Sequence, residues 1–239
     1  MVMSRPDSSP AILFGQPATR TIAPLTLVVA VLFITFPQID FAVAQAFHTG
    51  GNGFLLRDGP VHKFVDTFVR PYVKDLVIIM LVLAGISLLA RGKFLKWHPR
   101  AILFMVLTFA LGPGLLVNGV LKSYIGRARP KHIEALGGDK LFSPAFVQAE
   151  QCASNCSFVS GDVAFVAATL GFALLLEGPK RLFAIGVCLA ATALTGYYRM
   201  AVGAHFLSDV LLAALFCFII TLAMHQVIFF QPDSARKSS

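Results

Sequence analysis

Charge is scarce in this chain. Only 13% of its 239 residues are Asp, Glu, Lys or Arg, against roughly 25% in soluble domains. That shortage excludes an ordinary soluble core. With 56% hydrophobic residues and a mean hydropathy of +0.76, it points to the bilayer. Acidic residues are the scarcer sign, 12 against 20 basic ones, for a net charge of +8. In a soluble protein such a balance suggests nucleic acid. Here many cations flank apolar runs, where they act as topology signals, so no nucleic-acid partner is expected. Cysteine is sparse as well. Cys188 and Cys217 lie in apolar runs and read as core residues. Cys152 and Cys156 share the polar loop C-A-S-N-C. No second cysteine pair or histidine cluster completes a zinc site. An i,i+4 cysteine pair permits a disulfide in some loop conformations only, so both states of that loop remain open. Internal repeats and low-complexity tracts are absent.

What is present is a series of apolar runs near or above the roughly 18 residues that argue for a spanning helix. The expected fold is an all-α, polytopic membrane helical bundle of about six transmembrane helices. Residues 1–20 form a polar tail, 21–230 a single membrane domain and 231–239 a second polar tail. The first span runs from about Ala23 to Phe47, interrupted by Pro37-Gln38-Ile39-Asp40. Its A-V-A-Q-A also imitates a signal-peptidase site, but the run is long and further spans follow, which favours an uncleaved anchor. A Gly-rich loop and a short interfacial helix come next, over V-H-K-F-V-D-T-F-V-R. The remaining spans are about Leu76–Ala90, Ala101–Val120, Phe158–Leu176, Leu182–Tyr197 and Phe206–Phe230. Arg91, Lys93, Lys96 and Arg100 crowd one loop, and Lys180, Arg181, Arg236 and Lys237 fall on the same side, the cytoplasmic one. The opposite face then holds residues 48–74, 121–157 and 198–205.

Three stretches on that outer face carry chemistry. Lys122 to Pro130 reads K-S-Y-I-G-R-A-R-P; Ser160-Gly161-Asp162 opens the fourth span; Arg199, His205 and Asp209 lie in R-M-A-V-G-A-H-F-L-S-D. His205 and Asp209, at i and i+4, share a helix face. Asp209 can accept the imidazole Nδ1–H and leave Nε2 free to attack. The plainer reading is a capping cluster, but an ionisable residue at the head of an apolar span is costly and functional by default. Lys122, Arg129 and Arg199 taken singly would be topology or headgroup anchors. With the histidine they suit a phosphate clamp, the arginines bidentate and the lysine a point charge. Arg127 and Lys131 read as flanking surface charge. Ser160 and Gly161 offer a hydroxyl, a close backbone approach and a helix N-terminus to an anion, or form an ordinary cap.

These residues resemble the signature of the type-2 phosphatidic acid phosphatase (lipid phosphate phosphatase) superfamily: K-x6-R-P, then P-S-G-H, then S-R-x5-H-x3-D. The first is complete from Lys122 to Pro130. The third is complete in Arg199, His205 and Asp209, with Tyr198 in place of serine. The likeness covers about residues 70–225. It implies a six-span enzyme in which His205 is the nucleophile, Asp209 orients it, and Lys122, Arg129, Arg199, Ser160 and Gly161 hold the phosphoryl oxygens, without metal or cofactor. The second motif departs: Val159 stands for proline, and Asp162 for the histidine that protonates the leaving oxygen. Asp162 is then either a general acid or no acid at all, with His132 as a substitute, or else the leaving group needs little protonation.

The implied function is an integral-membrane phosphatase of a bacterial inner membrane, working at the periplasmic face on a lipid phosphate through a phosphohistidine. Candidate substrates are lipid A, undecaprenyl diphosphate and phosphatidylglycerol phosphate, with the lipid A phosphatase branch the nearest in resemblance. The bilayer and its lipid are the only partners implied. Two alternatives stand: a lipid phosphotransferase using the same intermediate, and a non-catalytic headgroup-binding protein.

Overall fold

The computed structural model describes residues 16–51, 53–89 and 98–229. Helix α1, Gln16–Thr35, is followed after Phe36-Pro37 by α2, Gln38–Ala46, so the first apolar run is two helices broken at the proline. A small antiparallel hairpin, β1 (His48–Gly50) and β2 (Gly53–Phe54), comes next. Helix α3 (Pro60–Phe64) starts on a proline, whose missing N–H costs nothing at a first turn. It runs through a π-helical turn, Val65–Val69, into α4, Arg70–Leu89. The expected interfacial segment and second span are therefore one continuous helix.

Helix α5 (Pro99–Phe109) is capped by His98, whose Nδ1 accepts the Arg100 N–H at 3.3 Å. It continues as a π-helical stretch, Ala110–Leu121, and ends in α6, Lys122–Tyr124. Pro113 inside that stretch has no N–H to give and crowds the preceding turn, which favours a wider coil. Asn118 donates from Nδ2 to the Pro113 carbonyl at 2.6 Å, and that bond turns Asn118 inward. A long segment with two short 3-10 turns, Pro130–His132 and Glu134–Leu136, leads to α7 (Gly161–Ala168) and α8 (Leu170–Leu174). Helix α9 (Gly178–Ala201) and helix α10 (Leu207–Phe229) complete the bundle.

Among the described residues, four helices are long and apolar enough to cross a membrane, not six: Ala18–Thr35, Pro99–Tyr124, Gly178–Ala201 and Leu207–Phe229. The expected fourth span is the short apolar stretch Gly161–Leu174, about 21 Å long at 1.5 Å per residue against a core of about 30 Å. It breaks at Thr169, whose hydroxyl bonds the Val166 carbonyl at 2.6 Å. In the second, α4 opens with Arg70, Lys74 and Asp75, so its uncharged part within the described residues is only Leu76–Leu89. The polar tail up to residue 15, most of the basic loop (90–97) and the C-terminal tail from residue 230 lie outside the described residues.

Helix α10 is the axis, packed on α1, α7, α5 and the π-helical stretch. Half of its span is buried within the protein, against 17% for α9 and 11% for α1. The outward faces of α1 (Leu27, Val28, Ile34) and α9 (Phe183, Val187, Leu194) are apolar and exposed, which suits lipid contact. One cluster of buried side chains, including Phe33, Val117, Phe158, Val163 and Leu212, fills the centre. A second, around Ala44, Phe54, Ala128, Ile133 and Phe206, roofs the end where α9 stops and α10 starts. Gly203 makes that turn with φ +66°, and a Cβ there would meet the Phe54 ring at 2.6 Å. Only glycine accommodates both the left-handed backbone and the close approach.

Candidate active site

Backbone bonds tie the three chemical stretches into one body at this end of the bundle. Ser160 N–H donates to the Asp209 carbonyl at 3.1 Å, Ser157 N–H to Arg127 at 2.9 Å, and Lys131 N–H to Gly203 at 3.0 Å. The result is a polar cavity of about 250 Å³. Six of the eight expected site residues line it: Lys122, Arg129, Gly161, Asp162, Arg199 and His205. Ser160 and Asp209 do not line it; both are fully buried behind it. His132 is also not among its lining residues.

His205 is only 2% exposed. Its Nδ1 lies 2.8 Å from the Ser157 carbonyl and 3.7 Å from Asp209 Oδ2. A carbonyl only accepts, so Nδ1 carries the proton and Nε2 holds the lone pair. The expected direct bond from the imidazole to Asp209 is thus replaced by one to a backbone carbonyl. Asp209 acts one step further back, where its Oδ2 accepts from Ser157 Oγ at 2.5 Å and from Phe206 N–H at 2.9 Å. It thereby fixes both the residue that orients the ring and the residue next to it. Burial, reinforced by the positive charge of Arg199 and opposed by Asp209, brings the His205 pKa down to about 4. The imidazole is neutral at pH 7.

Arg127 is not surface charge. It is fully buried and donates four hydrogen bonds: Nε to Ser143 O at 2.8 Å, Nη1 to Ser208 Oγ at 3.0 Å and Asp209 Oδ1 at 2.8 Å, and Nη2 to Asp40 Oδ2 at 2.8 Å. Its guanidinium carbon sits 4.1 Å from the Phe206 ring centroid, within cation–π range. Asp40 in turn accepts the Ser208 N–H at 2.8 Å and the Ser208 hydroxyl. A buried cation shared by two buried carboxylates is the base on which Asp209 rests.

The cations of the cavity are held by different means. Lys122 Nζ donates to Asn155 Oδ1 at 3.1 Å, and Arg129 Nη2 donates to the Asn155 carbonyl at 2.8 Å. Asn155 lies within the loop closed by a Cys152–Cys156 disulfide, which settles the state of those cysteines. Arg199 Nε lies 3.2 Å from Asp162 Oδ2, and Arg70 Nη2 from α4 lies 3.1 Å from the same oxygen. Next to Arg199, Tyr198 Oη lies 2.7 Å from His62 Nδ1. Burial, followed by the like charge of Arg70, pushes Arg129 below the ordinary arginine value. Cations crowded in this way favour an anion among them. Gly161 closes the cavity wall: a Cβ there would sit 3.1 Å from Asn118 Oδ1 and 3.2 Å from Lys122 Nζ. Ser160 Oγ is buried, with no hydrogen-bond partner among the described residues.

Sequence reasoning missed Arg70, Asn118, Ser157, Asn155, Arg127 and Asp40. Only Asp40 carried a signal, as an acid within an apolar run. The others became visible through their partners in space. Among the described residues no group of three or more His, Cys, Asp or Glu side chains could hold a metal.

The profile of the PAP2 superfamily matches residues 101–233. A lipid A 4′-phosphatase of Francisella tularensis subsp. novicida (strain U112) is 34% identical over 83% of this chain and 90% of its own length. Lipid A 4′-phosphatases of Rhizobium leguminosarum and Rhizobium etli are 37% and 35% identical, each over 81% of this chain and over 88% and 80% of their own lengths. Among solved structures, a transmembrane PAP2-type phosphatidylglycerolphosphate phosphatase from Bacillus subtilis superposes with a TM-score of 0.58, over 89% of this chain and 98% of that one, at 19% identity. That likeness is one of fold.

Proposed function

We propose, from the premise that the chain belongs to the PAP2 superfamily, that it removes the 4′-phosphate of lipid A through a phosphohistidine on His205. As a member close to the lipid A 4′-phosphatases, it is a multi-span bacterial membrane phosphatase acting on a lipid phosphate. The choice of substrate rests on three relatives of that name, each aligned over about four fifths of the chain.

The observation that carries the mechanism is the state of His205. Its Nδ1–H is spent on the Ser157 carbonyl, so its lone pair is on Nε2, in a ring that lines a cavity shared with Lys122, Arg129 and Arg199. Nε2 attacks phosphorus as the bond from phosphorus to the sugar oxygen breaks. Lys122, Arg129, Arg199 and the Ser160–Gly161 turn hold the phosphoryl oxygens, supplying the charge stabilisation on which phosphoryl transfer depends. Water then attacks the phosphohistidine and releases inorganic phosphate. A 4′-phosphate sits on a non-anomeric carbon, so its leaving oxygen is an ordinary alkoxide that ends the step protonated. Headgroup binding alone would need no neutral, oriented imidazole.

The basic turn at Lys180 and Arg181 and the site residue Arg199 lie at opposite ends of α9. That helix is about 36 Å long at 1.5 Å per residue. Lys and Arg mark the cytoplasmic side, which supports a periplasmic site in the inner membrane. The test is phosphate release from lipid A, undecaprenyl diphosphate and phosphatidylglycerol phosphate by detergent-purified protein, with and without chelator, beside His205→Ala. The expected result is release from lipid A that survives chelation and vanishes in the variant. Transfer of labelled phosphate to a second lipid would identify a phosphotransferase instead. Turnover by His205→Ala would sink the phosphohistidine.

A further inference from the structure

Arg70 belongs to none of the three stretches that make up the site in sequence, yet its side chain lines the same cavity as His205. Its Nη2 lies 3.1 Å from Asp162 Oδ2, the oxygen that Arg199 Nε also approaches, to 3.2 Å. Asp66, one turn earlier, pairs with Arg70 Nη1. Arg70 Nε is buried and has no hydrogen-bond partner among the described residues. An ionised carboxylate paired with two guanidiniums has no proton to give. A histidine at this position could not bridge them, since an imidazolium would repel both and a neutral ring offers one acceptor.

We infer that Arg70 is a fourth phosphoryl-binding cation of this site, and that Asp162 is the positioning residue that holds Arg70 and Arg199 towards the bound phosphate. The inference rests on the phosphatase reading above and adds a residue and a role to it. Replacement of a proton donor by a carboxylate and recruitment of an arginine from α4 are then one change. The site gives up an acid and gains a cation where negative charge builds up. When the phosphorus–oxygen bond breaks, the electron pair stays on the sugar oxygen, and water in the cavity supplies its proton.

The experiment compares Arg70→Ala, Arg70→Lys, Asp162→Asn and the Arg70→Ala/Asp162→Asn double variant in the full chain. Turnover is measured on an alkyl phosphate and on an aryl phosphate, whose leaving group needs no proton. Binding of inorganic phosphate is titrated separately in a His205→Ala background. Arg70→Ala and Asp162→Asn should each weaken phosphate binding and slow turnover about 10- to 100-fold, the range for charge-assisted bonds. The loss should be equal for alkyl and aryl substrates, no larger in the double variant than in Asp162→Asn alone, and partly recovered in Arg70→Lys relative to Arg70→Ala. A general-acid role for Asp162 would give the opposite pattern: intact phosphate binding with alkyl turnover lost far more than aryl. Unchanged phosphate binding in Arg70→Ala would also overturn the proposal. The phosphate titration does not depend on turnover, so it decides the place of Arg70 even if the His205 test fails.

Discussion

Arg127→Met should be the most damaging substitution outside the cavity. Arg127 donates four hydrogen bonds at 2.8–3.0 Å and forms ion pairs with Asp40 and Asp209, all three side chains having no solvent exposure. Removing one partner of a buried pair costs about 3–5 kcal/mol, because the other charge is left uncompensated. Here one cation serves two anions, so the loss should reach the upper part of that range. Loss of the cation–π contact with Phe206 adds about 1 kcal/mol. Adding Asp40→Asn removes one of the stranded charges and should return part of the stability, with a coupling of about 0.5–3 kcal/mol. The assay is unfolding of detergent-purified protein with phosphate release measured in parallel. Arg127→Met should melt well below the parent and lose turnover, because Asp209 no longer fixes Ser157 and, through it, His205. The reasoning is refuted if Arg127→Met melts and turns over like the parent, or if the Arg127→Met/Asp40→Asn pair is less stable than the two single effects added.

Three further outcomes are expected. His205 has its pKa depressed to about 4 against 6.5 for an ordinary histidine, so the neutral nucleophile persists on acidification. Once the substrate's own ionisation near pH 6 is corrected for, turnover should fall only as pH nears about 4. Over the window from about 6.5 down to 4 the unfolded chain binds the proton and the native one does not, so this group's contribution to stability is lost as pH falls. An acid limb at the ordinary histidine value would contradict this. Gly161→Ala would press a Cβ to within 3.1–3.2 Å of Asn118 and Lys122; overpacking of this kind costs about 1–3 kcal/mol, and it should appear as a raised KM because Lys122 must move. Reducing the Cys152–Cys156 disulfide frees Asn155, which aligns Lys122 and Arg129. Dithiothreitol should therefore lower turnover several-fold in the parent and leave a Cys152→Ser/Cys156→Ser variant, already impaired, unchanged.

The sequence by itself determined the membrane class, because bilayer burial is written in composition and in the length of apolar runs. It also supplied the three chemical stretches, because Lys122 to Pro130, Ser160 to Asp162 and Arg199 to Asp209 keep their groups within a few residues of one another. Six of its eight expected site residues line one cavity. It misjudged the number of spans among the described residues, since apolar runs register neither the break at Thr169 that divides α7 from α8 nor the charged opening that shortens the apolar part of α4. The tertiary structure alone decided what Arg127 and Arg70 do. An arginine in a polar stretch looks like surface charge until its partners are known, and those of Arg127 lie 87 residues away in Asp40 and 82 in Asp209. The same holds for the orientation of His205. The i,i+4 spacing suggested Asp209 as its acceptor, but packing of the 157–160 segment brings the Ser157 carbonyl to 2.8 Å and leaves the carboxylate one bond behind. Spacing along a chain limits which groups can meet; the packing of distant segments selects which of them do.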